Sequence, residues 1–314
     1  MMRTLAPLIA AAALAGCTVT TTNHYSGPVS EAPEAAPALG NDADAPPEMQ
    51  WLYGSGEAAA SSIQAWRQLA DFAIARSRER KARMSVPMGL GGTVAPPQSC
   101  QGPNGTKPLA VVFDVDETVL LNLGYEYWVA ATGNSYSRET WELWENTGAS
   151  YVKPVPGAVT GLRRLREAGI TPVFNTNRQY SPEGAAKAIA AAGLGEAVHL
   201  DTLYLRGDDG GDGRKDGRRA MIAERFCVLA LAGDNLGDFA DVFNDDEALT
   251  PAERRELAAR GDLAQLWGNG WFVLPNPVYG DSLKGTVGEV YPEGTRWTPD
   301  TAPSAAPAIM NEGK

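Results

Sequence analysis

Apolar residues in this chain fall into short runs separated by stretches of helical spacing. The sharpest run is Leu109-Ala110-Val111-Val112-Phe113, rich in β-formers and closed by Asp114. Similar runs at 170–174, within 198–205, at 227–232 and at 271–274 predict further strands, the last closed by Pro275. Pro172 argues against a full hydrogen-bond ladder in the second of these. Helices are predicted over 158–168 with Gly169 as the stop, after the Ser181-Pro182-Glu183 cap, and over 218–224. Upstream, Ile63, Trp66, Leu69/Ala70 and Ala73/Ile74 recur at helical spacing over 58–78, which makes Trp66 a core residue. Residues 85–108 read as irregular, and Trp141 and Trp144, at i,i+3 in an aromatic segment, as helix-core packing. Strands alternating with helices over 109–275 predict an α/β domain with a mainly parallel sheet. In such a sheet the site lies at the strands' carboxyl ends, here Asp114, Asn175-Thr176-Asn177 and Gly233-Asp234.

The ends of the 314-residue chain have a different character. Arg3, a short apolar run from Leu5 to Leu14, and Ala15-Gly16-Cys17 read as an export signal too short to be a comfortable membrane span. Leu14-Ala15-Gly16-Cys17 resembles the bacterial lipobox, which implies lipidation of Cys17. Thr18 in place of Asp implies sorting to the outer membrane, with a periplasmic location as the other outcome. Residues 18–47, rich in Ala, Pro and polar residues, read as a tether, and 291–314 as a loose tail. Cys100 and Cys227 permit one disulfide, but the apolar run around Cys227 suits a buried thiol at least as well. His24 and His199 lie far apart in sequence and read as structural or solvent-facing. A net charge of -11 argues against nonspecific nucleic-acid binding and leaves small phosphate esters open, since a bound cation can supply local positive charge.

Candidate chemistry concentrates in Asp114-Val115-Asp116-Glu117-Thr118. Carboxylates at i and i+2 of an extended segment emerge on one side and repel unless a cation or a proton sits between them. A hard oxygen-liganded metal such as Mg²⁺ suits such a pair, which also allows a nucleophile and a proton donor to be separate groups. The loop 207–215 looks superficially like a calcium loop, but its ligand spacing is not that of the helix-flanked type.

That pentapeptide resembles the first motif of the haloacid-dehalogenase superfamily of phosphotransferases. Val173-Phe174-Asn175-Thr176-Asn177-Arg178 is similar to the second, Lys215 to the third, and Gly233-Asp234-Asn235-Leu236-Gly237-Asp238-Phe239 to the fourth. With the lipobox, Pro154-Val155-Pro156-Gly157-Ala158 and the segment 272–280, the chain resembles the class C bacterial acid phosphatases over roughly residues 50–290. The resemblance implies a Rossmannoid three-layer sandwich over 48–290, with a small helical cap formed by 123–153 or by the N-terminal helix. It implies a Mg²⁺-dependent phosphomonoesterase acting on small phosphate monoesters, nucleoside monophosphates and aryl phosphates among them. Asp114 is implied as the nucleophile that becomes a phosphoaspartate, and Asp116 as the general acid and base. Thr176 and Lys215 are implied to bind the phosphoryl oxygens. The metal is implied to sit on the side chains of Asp114 and Asp234 and the carbonyl of Asp116, with Asp238 in its outer shell. Asn177, Tyr125 and Trp128 are the implied substrate contacts, the aromatic pair as a stacking platform. A homodimer is a prior from the same resemblance. Asp281-Ser282-Leu283 departs from the aromatic-acidic pair common at this place, which puts substrate range or pocket closure in question.

Overall fold

The computed structural model describes residues 40–79, 84–244 and 249–299. The proposed signal, Cys17 and most of the tether lie outside these residues, as does the end of the tail. Five strands form the central sheet: β1 (Leu109–Phe113), β2 (Thr171–Asn175), β3 (Leu203–Tyr204), β4 (Cys227–Gly233) and β5 (Trp271–Val273). All neighbours are parallel, in the order β5-β4-β1-β2-β3. The chain moves outward from β1 through β2 to β3, then returns to the other side of β1 for β4. This reversal between β1 and β4 opens a crevice at their carboxyl ends, where Asp114 and Asp234 follow.

Alternation along the strands supplies both faces. Val111 and Phe113 join one buried cluster, and Ala110 and Val112 the other. Against the first pack α1 (Gly56–Ser77), α4 (Ala158–Glu167) and α5 (Pro182–Ala191); against the second packs α6 (Asp216–Arg225). Ser55 caps α1 by accepting the Ala58 N–H at 3.0 Å. Trp66 of α1 stacks on Phe113, centroids 5.1 Å apart and planes 12° apart, one residue before Asp114. Its indole also covers Gly161 of α4, where any Cβ would collide with the ring. Helix α4 stops as predicted: Gly169 takes φ +73°, and the N–H of Ile170 reaches back to the Leu165 carbonyl at 2.9 Å. Helices α2 (Leu123–Thr132) and α3 (Arg138–Thr147) sit between β1 and α4 in sequence, so the 123–153 segment supplies a helical cap.

Two details sharpen the sequence expectation. Pro172 lies within an interior strand without breaking its ladder. The Phe174 and Thr176 N–H groups point to β3, bonding Thr202 and Tyr204, and alternation puts the Pro172 nitrogen on that same side. Pairing with β3 begins only at Phe174, so no donor is missed. Second, Cys100 and Cys227 form a disulfide, with Cα atoms 4.8 Å apart. Both are fully buried, so the apolar run around Cys227 marks burial without distinguishing thiol from half-cystine. The bridge spans a sequence separation of 127 and ties the segment before β1 to the start of β4. Replacing both cysteines with Ala will lower the unfolding free energy by about 2–5 kcal/mol in urea titration, since a long loop is released in the unfolded chain.

Candidate active site

Strand β1 delivers Asp114 directly, its N–H held by the Ala232 carbonyl of β4 at 2.9 Å. The chain then turns tightly, with the N–H groups of Thr118, Val119 and Leu120 all directed at the Val115 carbonyl and Glu117 at φ +54°. Asp114 and Asp116 thereby take separate partners. The buried Lys215 ammonium, placed just before α6, bonds Asp114 Oδ1 and reaches Asp238 Oδ1 at 2.7 Å. The Thr118 hydroxyl lies 3.3 Å from Asp114 Oδ2 and 3.0 Å from Asp234 Oδ1. Asp234 also accepts from Asn276 Nδ2 at 2.7 Å. Asp238 turns back to accept the Asn235 N–H at 2.9 Å, and Gly233 leaves the space its carboxylate occupies.

Asp116 is held by a different cation. Arg178 reaches its Oδ1 through Nε at 3.0 Å and Nη2 at 2.7 Å, while Asn122 Nδ2 donates at 2.9 Å. The Thr176 hydroxyl completes the set at 3.3 Å. Burial acts to raise the pKa of Asp116, but Arg178 and Asn122 outweigh it and hold the group below the usual carboxylate range. Asp114 and Asp234 move the other way. Burial, together with neighbouring carboxylates, pushes Asp234 up to about 7 and Asp114 well above its ordinary value despite Lys215. Burial alone would weaken the charge on Lys215; Asp114 and Asp238 reverse that and keep it protonated.

The loops carrying these groups are tied together by two adjacent arginines of α6. Arg218 donates to the Thr176 carbonyl, to Asn177 Oδ1 at 2.6 Å and to the Gly213 and Arg214 carbonyls at 3.1 Å. Arg219 donates to the Gly237 and Asp238 carbonyls at 3.0 and 2.9 Å and to Gly89 at 3.0 Å. One helix end therefore fixes the lysine, the 176–177 loop and the 237–238 loop relative to one another.

A cavity of about 710 Å³ opens above these groups, lined by Asp114, Asp116, Lys215, Asp234, Asp238, Asn177 and Tyr125, among others. Tyr125 packs edge-on to Trp141, centroids 5.0 Å apart. Trp128 is not among the lining residues; it packs on the apolar cluster behind Tyr125. Of the tryptophans read as core, Trp144 is buried, with Nε1 donating to Asn122 at 2.9 Å, but Trp141 lines the cavity with the Arg178 guanidinium 5.7 Å from its ring. His199 pairs with Asp208 at 2.9 Å away from the cavity, consistent with its structural reading. In the 207–215 loop, Asp208 and Asp209 accept the Leu205 and Gly211 N–H groups and so act as loop caps.

Sequence reasoning assigned no role to Arg178, Asn122 or Glu117. Arg178 stands at the end of the second motif, and its position beside a strand-end threonine was the available signal. Asn122 offered none. Glu117, 1% exposed, accepts the Asn122 N–H at 2.9 Å, the Tyr53 hydroxyl at 3.3 Å and the Tyr279 hydroxyl. It thus joins the turn after β1 to the segment before α1 and the segment after β5.

The profile of the HAD superfamily, subfamily IIIB (Acid phosphatase), matches residues 93–282. The chain belongs to that family. It is a phosphomonoesterase of the acid phosphatase type. Among solved structures it is similar to the class C acid phosphatase from Bacillus anthracis with tungstate bound, at 22% identity and a TM-score of 0.58. A second structure of the class C acid phosphatase from Bacillus anthracis matches at 24% identity and a TM-score of 0.56. Each alignment covers 75% of this chain and 84% of the other. These likenesses carry the fold. Phosphatases of this superfamily generally use a divalent metal, and Asp114, Asp234 and Asp238 each offer an oxygen within 4.8 Å of the others. The donor set is all carboxylate and largely shielded from water, and burial together with neighbouring carboxylates raises the pKa of Asp114 and Asp234. Both properties fit a hard cation.

Arg178→Met will leave the buried Asp116 carboxylate without its main partner and destabilise the protein by about 3–5 kcal/mol in urea titration. Adding Asp116→Asn will restore part of that loss; an unchanged stability in the single variant would contradict the buried pair.

Proposed function

We propose that this acid phosphatase hydrolyses nucleoside monophosphates, aryl phosphates and other small monoesters with Mg²⁺, through a phosphoaspartate on Asp114. The observation that supports this reading is the separation of the two carboxylates: Asp114 bound by Lys215, Asp116 by Arg178, both at the floor of one cavity. In the first step an Asp114 oxygen attacks phosphorus and the bond from phosphorus to the alcohol oxygen breaks. Asp116 delivers a proton to that departing oxygen. In the second step Asp116 takes a proton from water as the water oxygen attacks phosphorus. The bond to Asp114 then breaks and releases phosphate. Lys215 faces the phosphoryl oxygens, where charge is concentrated in transfer, while the Thr176 hydroxyl, read from the sequence as a phosphoryl contact, is fully buried against Asp116 and supports that group instead.

Asp114, Asp234 and the Asp116 carbonyl are the proposed metal ligands, with Asp238 behind them. Mg²⁺ bound there supplies the positive charge that lets an anionic carboxylate approach an anionic ester. Asn177 and Tyr125 line the cavity on the alcohol side and are the substrate contacts in this reading. Trp128 then serves as backing for Tyr125. The tungstate carried by one solved relative is a tetrahedral oxyanion, in keeping with a phosphoryl site on this fold. Lipid attachment at Cys17 and an envelope location rest on the sequence pattern alone. No helix among the described residues is long and apolar enough to cross a membrane.

Phosphate release from phenyl phosphate, a nucleoside 5′-monophosphate and a sugar phosphate tests the proposal. Wild type will release phosphate with Mg²⁺ and stop with EDTA, recovering on re-addition of the metal. Asp114→Asn will lose roughly a thousandfold or more in kcat while remaining folded by circular dichroism. Undiminished turnover in EDTA or in Asp114→Asn would reject the metal or the nucleophile, respectively.

A further inference from the structure

Helix α2 turns the face formed by Tyr125, Glu126 and Val129 to the cavity. Two of these continue its aromatic and apolar wall. Glu126 does not fit that pattern. It is 7% exposed, yet its carboxylate makes no hydrogen bond or ion pair among the described residues. Every other acid near the cavity floor has a donor. Asp114 and Asp238 share Lys215, Asp116 has Arg178, and Asp234 has Asn276. Glu117, the nearest buried acid in sequence, is satisfied by Asn122, Tyr53 and Tyr279. Glu126 also stands outside the group of three carboxylates able to share a metal. Burial pushes its pKa up to about 7, and since its oxygens are not enclosed atoms, they open to the cavity.

A carboxylate open only to a cavity loses its solvent when a ligand fills that cavity, which favours a ligand that supplies a donor in its place. We propose that Glu126 selects the leaving alcohol by accepting a hydrogen bond from a hydroxyl or an ammonium group that the alcohol carries. The inference rests on the function proposed above, which puts the phosphoryl group at Asp114 and directs the alcohol into the cavity. Tyr125 and Trp141 give that alcohol a flat wall tolerant of many shapes. Glu126 asks it for a donor, and a site built around a hydrogen bond discriminates sharply against analogues that lack it.

The test uses the full chain with Glu126→Gln and Glu126→Leu. Substrates come in matched pairs: a nucleoside 5′-monophosphate with its 2′,3′-dideoxy analogue, and an aminoalkyl phosphate with the corresponding alkyl phosphate. Phenyl phosphate is the donor-free reference. Wild type will prefer the donor-bearing member of at least one pair by roughly ten- to hundredfold in kcat/KM. Glu126→Leu will bring that ratio close to one. Glu126→Gln separates the two donors, because its amide oxygen still accepts from a hydroxyl but no longer attracts a cation. A partial loss identifies the hydroxyl and a complete loss the ammonium. If Glu126→Leu does not fold, as judged by thermal melting, a diminished ratio in Glu126→Gln is the required result. The proposal is overturned by a wild type without either preference, by ratios unchanged in the variants, or by an equal loss on all esters including phenyl phosphate. Wild type that releases no phosphate even from phenyl phosphate overturns the hydrolase reading beneath it, which separates the two failures.

Discussion

The structure is organised around a buried excess of negative charge. Asp114, Asp116, Asp234 and Asp238 meet at the ends of two neighbouring strands, and water is largely excluded from Asp114 and Asp238. Two unit charges about 4 Å apart repel by roughly 4 kcal/mol at an effective dielectric constant near 20. A domain of this size has a total stability of about 5–15 kcal/mol, so an unbalanced cluster would consume much of it. The arrangement survives because counter-charges and donors are fixed before any substrate arrives. Lys215 lies between Asp114 and Asp238, Arg178 covers Asp116, and Thr118 and Asn276 attend Asp234.

The two cations are not interchangeable. Lysine is a compact charge that can bond two carboxylates arriving from different loops. Arginine presents a planar fork that grips one carboxylate and still has an edge for Asn122. The result is two aspartates, two residues apart, with opposite pKa directions. These directions are the reverse of those an ionised nucleophile and a protonated acid need, so a cation held beside Asp114 and an anionic ester placed beside Asp116 would have to invert them before transfer. Maintaining the arrangement requires the cation-bearing loops to stay in register, which explains a pair of fully buried arginines, Arg218 and Arg219, that reach the site through backbone groups, Asn177 and Asp241.

Much of the fold was legible because its signals are local. A β-rich run closed by an aspartate, a glycine at a helix end and a capped Ser-Pro start each carry their own physics. The carboxyl-end rule then gathers Asp114, Thr176 and Asp234 without knowledge of the sheet order. The unread features depend on partners remote in sequence. Glu117 looks like one more acid in a motif until Tyr53 and Tyr279 converge on it. Trp141 and Trp144 share a helix and a spacing, yet one lines the cavity and the other is buried against Asn122, because the face of a short helix depends on its neighbours. Cys227 reads as any buried apolar position, and only the placement of Cys100 beside it makes the bridge.

Glu117 shows how this architecture links chemistry to recognition. Its carboxylate sits directly after Asp116 and collects donors from the segment before α1 and the segment after β5, which also contribute Met49, Val278 and Tyr279 to the cavity. Burial, with Asp116 next in effect, pushes its pKa up to about 8, so it resists ionisation in the acid range and its oxygens can serve hydroxyl donors without adding charge to the cluster. The cavity walls are therefore fastened to the same turn that delivers the reacting aspartates. A change in that turn cannot be confined to catalysis, because it moves both the floor and the walls. The cap helices face a looser constraint. Residues on α2 and α3 can vary the upper cavity while the strand ends keep their geometry, so substrate preference is more readily altered there than at the floor.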